Sequence, residues 1–139
     1  MRRFIQLLEL NPLQKAIKDS VLTAPNPDLF KNLPYHTYFD SFRSFDLALP
    51  RRIGKTTLII DIATTMIEQG KKPMIMVLNS GITRDYPEYL HKYIKSSSTY
   101  AYMSFLCDAL LLDEIEGKDV KVGSNNRHEF FRLRLYTPR

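Results

Sequence analysis

The thirteen residues Phe45-Asp-Leu-Ala-Leu-Pro-Arg-Arg-Ile-Gly-Lys-Thr-Thr57 constrain this chain more than any other stretch. An apolar run (Leu47, Ala48, Leu49) stops at Pro50, two arginines follow, and Gly54-Lys55-Thr56 leads directly into Leu58–Met66, whose apolar spacing is that of a helix. A strand that ends in such a turn and passes at once into a helix gathers unpaired backbone N–H groups, the positive end of a helix dipole and a lysine ammonium at one point. That combination suits a phosphate group.

The rest of the chain is read against this phosphate-gripping turn. Its 139 residues are the usual size of one domain and can bury a core without covalent staples. The single cysteine, Cys107, excludes an intramolecular disulfide and a multi-cysteine zinc site, which fits a reducing compartment. His36, His91 and His128 lack metal-ligand spacing, and Cys107 has no histidine or acid pattern marking a nucleophile; a small buried apolar role is expected for it. The formal charge of +5 favours polyanionic partners, with a solvated basic surface as the alternative. No apolar run approaches the roughly 20 residues of a membrane span. The segment Met1–Leu10 is too short and too interrupted by Gln6 and Glu9 for a signal peptide, so a location in the cytoplasm of the host cell is expected.

In chain order, residues 3–10 are expected to form a short helix. Asn11-Pro12-Leu13-Gln14 predicts a helix start, with Asn11 as N-cap, Pro12 in the first position and Gln14 reaching back, and the helix runs to Leu22. The prolines of Thr23–Asp28 stop it. The aromatics of residues 29–44 (Phe30, Tyr35, Tyr38, Phe39, Phe42) lack clear period. They suit an irregular segment covering one sheet edge, or a stacking surface for nucleic acid between Lys31, His36 and Arg43. Strands are predicted at Ser44–Leu49, Pro73–Leu78, Thr99–Phe105, Ala109–Leu112 and Phe130–Tyr136; a helix over Tyr102–Asp108 is the alternative to the third. Helices are predicted at Gly54–Gln69, stopped by Gly70, and from Asp85 to about Lys95, with Pro87 in the first turn and Ser96–Ser98 as the break. Asn79–Thr83 and Gly117–Asn126 read as loops. Arg132 and Arg134 alternate on one strand face, which favours a solvated sheet edge over the alternative of a phosphate-contacting cluster with Arg127, His128 and Arg139.

This alternation predicts an α/β fold with a mostly parallel sheet flanked by helices and right-handed crossovers. Residues 1–43 form an N-terminal segment packed on a core of residues 44–139. In such sheets ligands bind at the carboxyl ends of strands, where residues 50–56, 79–83, 113–114 and 137–138 all fall.

Gly54-Lys55-Thr56 matches the end of the Walker A pattern of P-loop NTPases. Gly54 allows close backbone approach, Lys55 reaches the β and γ phosphates, and Thr56 offers its hydroxyl to Mg²⁺. The full pattern places glycine five residues before Gly54, where this chain has Leu49. Leu110-Leu-Leu-Asp-Glu114 resembles Walker B: Asp113 for the metal, Glu114 to orient or deprotonate water. The alternatives are an ordinary helix start and a strand leading into an acidic turn.

Leu49-Pro-Arg-Arg-Ile-Gly-Lys-Thr-Thr57 resembles the altered Walker A of viral and phage terminase large subunits, the DNA-packaging motors, in which the first glycine is often replaced and an arginine sits in the loop. The resemblance covers roughly residue 11 to the end and implies an ASCE/RecA-like P-loop ATPase using ATP and Mg²⁺. It implies nucleotide contacts from Pro50, Arg51, Arg52, Ile53, Gly54, Lys55, Thr56 and Thr57, with Arg51 or Arg52 supporting the γ-phosphate during catalysis beside Lys55 and Glu114. Gln14 resembles the adenine-reading glutamine of such ATPases, equally with its capping role. Tyr136-Thr-Pro138 resembles the coupling motif, with Thr137 sensing the γ-phosphate; a strand-ending turn is the alternative. The implied partners are double-stranded DNA, a homo-oligomeric ring and a larger motor with portal and small terminase. Sequence beyond the coupling motif and a nuclease domain are lacking, so a fragment, a truncated relative or a stand-alone core is expected. A non-hydrolysing nucleotide- or DNA-binding regulatory module and another helicase-like ATPase are the competing readings; a nucleotide kinase fits less well, lacking a lid or acceptor pattern.

Overall fold

The computed structural model describes residues 10–50, 54–77, 84–95, 107–115 and 127–138. A five-stranded, all-parallel sheet is its centre: β1 (Ser44–Ala48), β2 (Pro73–Val77), β3 (Ile94–Lys95), β4 (Ala109–Asp113) and β5 (Phe131–Tyr136), in the spatial order β1-β5-β4-β2-β3. Helix α1 (Pro12–Leu22) precedes the sheet, with two short helices α2 (Pro27–Asn32) and α3 (Tyr35–Tyr38); α4 (Lys55–Glu68) follows β1.

The strand composition explains the layering. β2 and β4 are buried at every position, as expected of a parallel sheet covered on both faces. Ile75, Val77, Ala109, Leu111, Phe131, Leu133 and Leu135 face α4, whose Leu58, Ile59, Ile62, Ala63 and Met66 complete the main core. Ile17 and Val21 of α1 belong to the same core, and Lys18 ties α1 to α4 through Asp61 at 2.5 Å. On the other face, Met74, Leu110 and Phe130 pack with Phe39 and Cys107. Burial pushes the Cys107 thiol up to about 12.

The expected N-terminus of α1 is present in full. The Asn11 side chain accepts from the Gln14 N–H at 2.8 Å, and Gln14 Oε1 accepts from the Asn11 N–H at 2.9 Å. Gly70 ends the α4 region with φ +77°, the left-handed conformation that favours glycine. Within the aromatic segment Tyr38 and Phe39 are buried, whereas Phe42 is exposed. Tyr38 is buried beneath Phe30, Phe42 and His128, and donates to the His128 carbonyl at 3.0 Å, while Phe39 stacks on Phe130.

Three expectations change. Residues 27–43 are short helical turns, not irregular chain: Asn26-Pro27 repeats the Asn-Pro helix start, Asn26 caps α2, and a π-helical turn Phe39–Arg43 leads into β1. The helix expected from Asp85 is a 3₁₀ segment, Glu88–Tyr93. Pro87 has no N–H and is extended (ψ 148°), so no continuous helix runs on from Asp85, and Ile94 pairs with Ile75 of β2. The strand Phe131–Tyr136 is not an edge, because β1 and β4 pair with its two sides. Its arginines are matched instead by β1. Arg132 and Arg134 both reach Asp46, at 3.3 and 3.2 Å, and Arg134 lies over the Tyr136 ring. The expectations for residues 3–9, Asn79–Thr83, Ser96–Phe105 and Gly117–Asn126 lie outside the described residues. Among the described residues, no helix is long and apolar enough to cross a membrane.

Arg43 binds the two halves together. It is 2% exposed, and its guanidinium donates to the carbonyls of Val21 and Glu129 at 2.9 Å, Phe130 at 3.4 Å and Thr23 at 3.5 Å. The Phe131 ring lies 5.3 Å away. One fork of donors therefore closes the end of α1 and the chain entering β5.

Candidate functional site

Parallel pairing brings the carboxyl ends of β1, β5 and β4 side by side. The register matches Ala48 with Tyr136 and Asp113 with Leu135, so Pro50, Thr137 and Glu114 emerge next to one another. The Leu49 N–H donates to the Tyr136 carbonyl and the Glu114 N–H to the Leu135 carbonyl, each at 2.8 Å, which extends the ladder to the strand tips.

Above these tips sits the start of α4. Gly54 has φ +81°, and no side chain caps the helix it opens. Its carbonyl accepts from the Leu58 N–H at 3.0 Å and from Gln14 Nε2 at 2.9 Å. A Cβ on residue 54 would lie 2.3 Å from that Nε2, so the contact itself requires glycine. Gln14 thus caps α1 and braces Gly54, at the start of α4, with the same amide.

Lys55, the first residue of α4, is 8% exposed and reaches back across β5. Its Nζ donates to the Pro50 carbonyl at 3.1 Å and lies 3.2 Å from Glu114 Oε1. Thr137 grips the same carboxylate twice, with its Oγ1 donating to Oε1 at 2.5 Å and its N–H to Oε2 at 3.1 Å. Burial alone would raise the Glu114 carboxyl; the hydrogen bonds from Thr137 and Lys55 outweigh it and hold the group below the usual carboxylate range. Glu114 has φ +60°, a left-handed conformation uncommon outside glycine, and costs of order 1–3 kcal/mol attach to such residues, which cluster at functional sites.

Beside it, Asp113 is 2% exposed at the end of β4. Its Oδ2 accepts from Thr56 Oγ1 at 2.8 Å and from the Tyr86 hydroxyl at 2.7 Å, while among the described residues no group donates to Oδ1. Burial raises the Asp113 carboxyl, and the hydrogen bonds from Tyr86 and Thr56 offset this only in part. Burial, reinforced by the Asp113 charge, raises the Tyr86 phenol, so it remains a donor. Thr56 and Asp113 present hard oxygen donors at a helix N-terminus, the donor chemistry Mg²⁺ takes from protein while keeping waters and phosphate oxygens as its other ligands. A hydroxyl that donates its proton to Asp113 keeps lone pairs for a cation.

Gln14, Pro50, Gly54, Lys55, Thr56, Asp113, Glu114 and Thr137 are therefore gathered at one end of the sheet. Thr57, the third residue of α4, is half-buried behind them. Arg51, Arg52 and Ile53 lie outside the described residues. Sequence reasoning missed Tyr86, whose only local mark is its place before Pro87 and which meets Asp113 across 27 positions of sequence. Of the basic cluster, Arg127 pairs with Asp108 at 2.6 Å. A cavity of about 340 Å³ lies elsewhere, at the β2–β3 edge beside Met74, Lys92, Tyr93, Lys95 and Cys107; none of the site side chains lines it.

No family model, curated protein or solved structure matches this chain.

Proposed function

We propose that this chain is a P-loop nucleotide-binding domain of the ASCE type that hydrolyses ATP. The observation that carries the reading is one junction of contacts: Lys55 bridges to Glu114 while Thr56, its neighbour on α4, bridges to Asp113, the neighbour of Glu114 on β4. Two adjacent helix residues thus meet two adjacent strand-tip carboxylates above parallel strands, where α/β proteins bind ligands.

In this reading the uncapped start of α4 and the Lys55 ammonium hold the phosphate chain. Thr56 and Asp113 would hold Mg²⁺, which when bound neutralises charge developing on the phosphates. Phosphate oxygens compete with Glu114 for Lys55, and Glu114, relieved of that ion pair, accepts a proton from the attacking water. Thr137 keeps the carboxylate aimed through two hydrogen bonds, so it acts on Glu114 directly. Gln14 supports the turn from behind through Gly54.

The resemblance of residues 49–57 to terminase large subunits extends the proposal to a DNA-packaging motor acting on double-stranded DNA in a ring. A second reading, a non-hydrolysing nucleotide-binding module, draws on the engagement of Glu114 by Lys55 and Thr137. Steady-state ATP hydrolysis with and without double-stranded DNA separates them. Turnover by the wild type, stimulated by DNA and reduced at least about 100-fold in Glu114→Gln with binding intact, is the expected result. Binding of Mg-ATP without turnover under either condition favours the module.

A further inference from the structure

The Asp113 carboxylate has two donors on one oxygen, and only one of them belongs to the phosphate turn. The other, Tyr86, comes from the segment between β2 and β3. That segment is fastened on several sides. The Tyr86 carbonyl lies 2.9 Å from His91 Nε2, Leu90 is buried in the main core, and the Tyr89 hydroxyl lies 2.6 Å from Thr64 Oγ1 of α4. Pro87 fixes the backbone immediately after Tyr86. The phenol, 3% exposed, therefore approaches Asp113 from a braced platform rather than from a loose loop.

We propose that Tyr86 is a positioning residue for the cation half of the site: it pins Asp113 Oδ2 together with Thr56, which would leave Oδ1 as the acceptor that serves a bound Mg²⁺. The inference rests on the nucleotide-binding reading above. A carboxylate hydrogen-bonded by Thr56 alone can turn about its Cβ–Cγ bond; with a second donor on the same oxygen, both the rotation and the free oxygen are fixed. Among the described residues the phenol hydroxyl bonds to Asp113, whereas Lys55 bonds to Pro50 and Glu114, so the two side chains serve different halves of the site.

Isothermal titration of ATP in EDTA and in Mg²⁺, for wild type and Tyr86→Phe, tests this. The wild type is expected to bind ATP in both conditions and more tightly with Mg²⁺. Tyr86→Phe is expected to keep the EDTA affinity and to lose roughly ten-fold or more of the tightening by Mg²⁺, the value of a hydrogen bond to a charged group. In an Asp113→Asn background the same substitution should change little, because the two act as one unit. Equal Mg²⁺ tightening in wild type and Tyr86→Phe overturns the proposal while leaving the nucleotide reading intact. So does a parallel loss in EDTA and Mg²⁺, or a Tyr86→Phe chain that no longer folds, since the phenol is then a structural element. A wild type that binds no ATP in either condition removes the nucleotide reading itself, and this inference with it.

Discussion

Asp113→Asn should stabilise the free protein while weakening its use of Mg²⁺. Asp113 is 2% exposed and its carboxyl is raised, chiefly by burial, so the folded surroundings disfavour its charge on balance. Asparagine keeps an acceptor for both Tyr86 and Thr56 at the same place. Each of these bonds weakens by about 1 kcal/mol on becoming neutral, whereas a buried charge carries a penalty of several kcal/mol. The net gain is on the order of 1 kcal/mol, or roughly 3–5 °C in Tm for a chain of this size. The sign follows from proton linkage. The folded state holds the Asp113 proton to higher pH than the unfolded chain, so wild-type stability falls as pH rises from the ordinary value of 3.8 through the raised one. The advantage of Asp113→Asn is therefore full at pH 7, shrinks as pH falls through the raised value, and vanishes below 3.8. Thermal unfolding followed by circular dichroism at a series of pH values measures it. A Tm for Asp113→Asn at or below wild type at pH 7 refutes the reasoning.

Arg43→Met leaves four carbonyls of α1, Glu129 and Phe130 without their donor, and should cost roughly 3–5 kcal/mol in urea unfolding, while Arg43→Lys, a single-point donor, recovers part of that. Gly54→Ala combines a left-handed φ with a Cβ 2.3 Å from Gln14 Nε2, and should cost about 2–3 kcal/mol by the same measurement; in a Gln14→Ala background only the backbone strain, about 1–2 kcal/mol, should remain. Thr137→Val should raise the Glu114 carboxyl toward its ordinary value. Glu114 stabilises the fold above its unfolded pKa and loses that contribution as pH falls through the lowered folded one, so Thr137→Val should flatten the acid limb of the Tm profile.

Much of the architecture was legible because it is local. The Asn11–Gln14 capping box, the glycine stop at Gly70 and the apolar runs of β2 and β4 each announce themselves within a few residues. What stayed hidden depends on partners far along the chain. Alternating Arg132 and Arg134 look like an edge strand until Asp46, in β1, is found to accept from both. Nothing local marks Arg43 for burial; the carbonyls of Val21 and Glu129 that close around it come from α1 and from the chain entering β5. The turns of residues 27–43 are too short to establish a helical period. The same division runs through the site. Lys55, Thr56, Asp113 and Glu114 are placed by motif, and their meeting follows from parallel register. The Gln14–Gly54 and Tyr86–Asp113 contacts span 40 and 27 positions and follow from the folded arrangement alone.

The central claim is that the junction of Lys55, Thr56, Asp113 and Glu114 binds the phosphates of a nucleotide. Calorimetric titration of ATP with Mg²⁺ into wild type and Lys55→Ala tests it most directly. Saturable one-to-one binding by the wild type, weakened at least about ten-fold in Lys55→Ala by loss of a charge-assisted phosphate contact, is the predicted result. No binding by the folded wild type, or equal affinity in the two proteins, would contradict it.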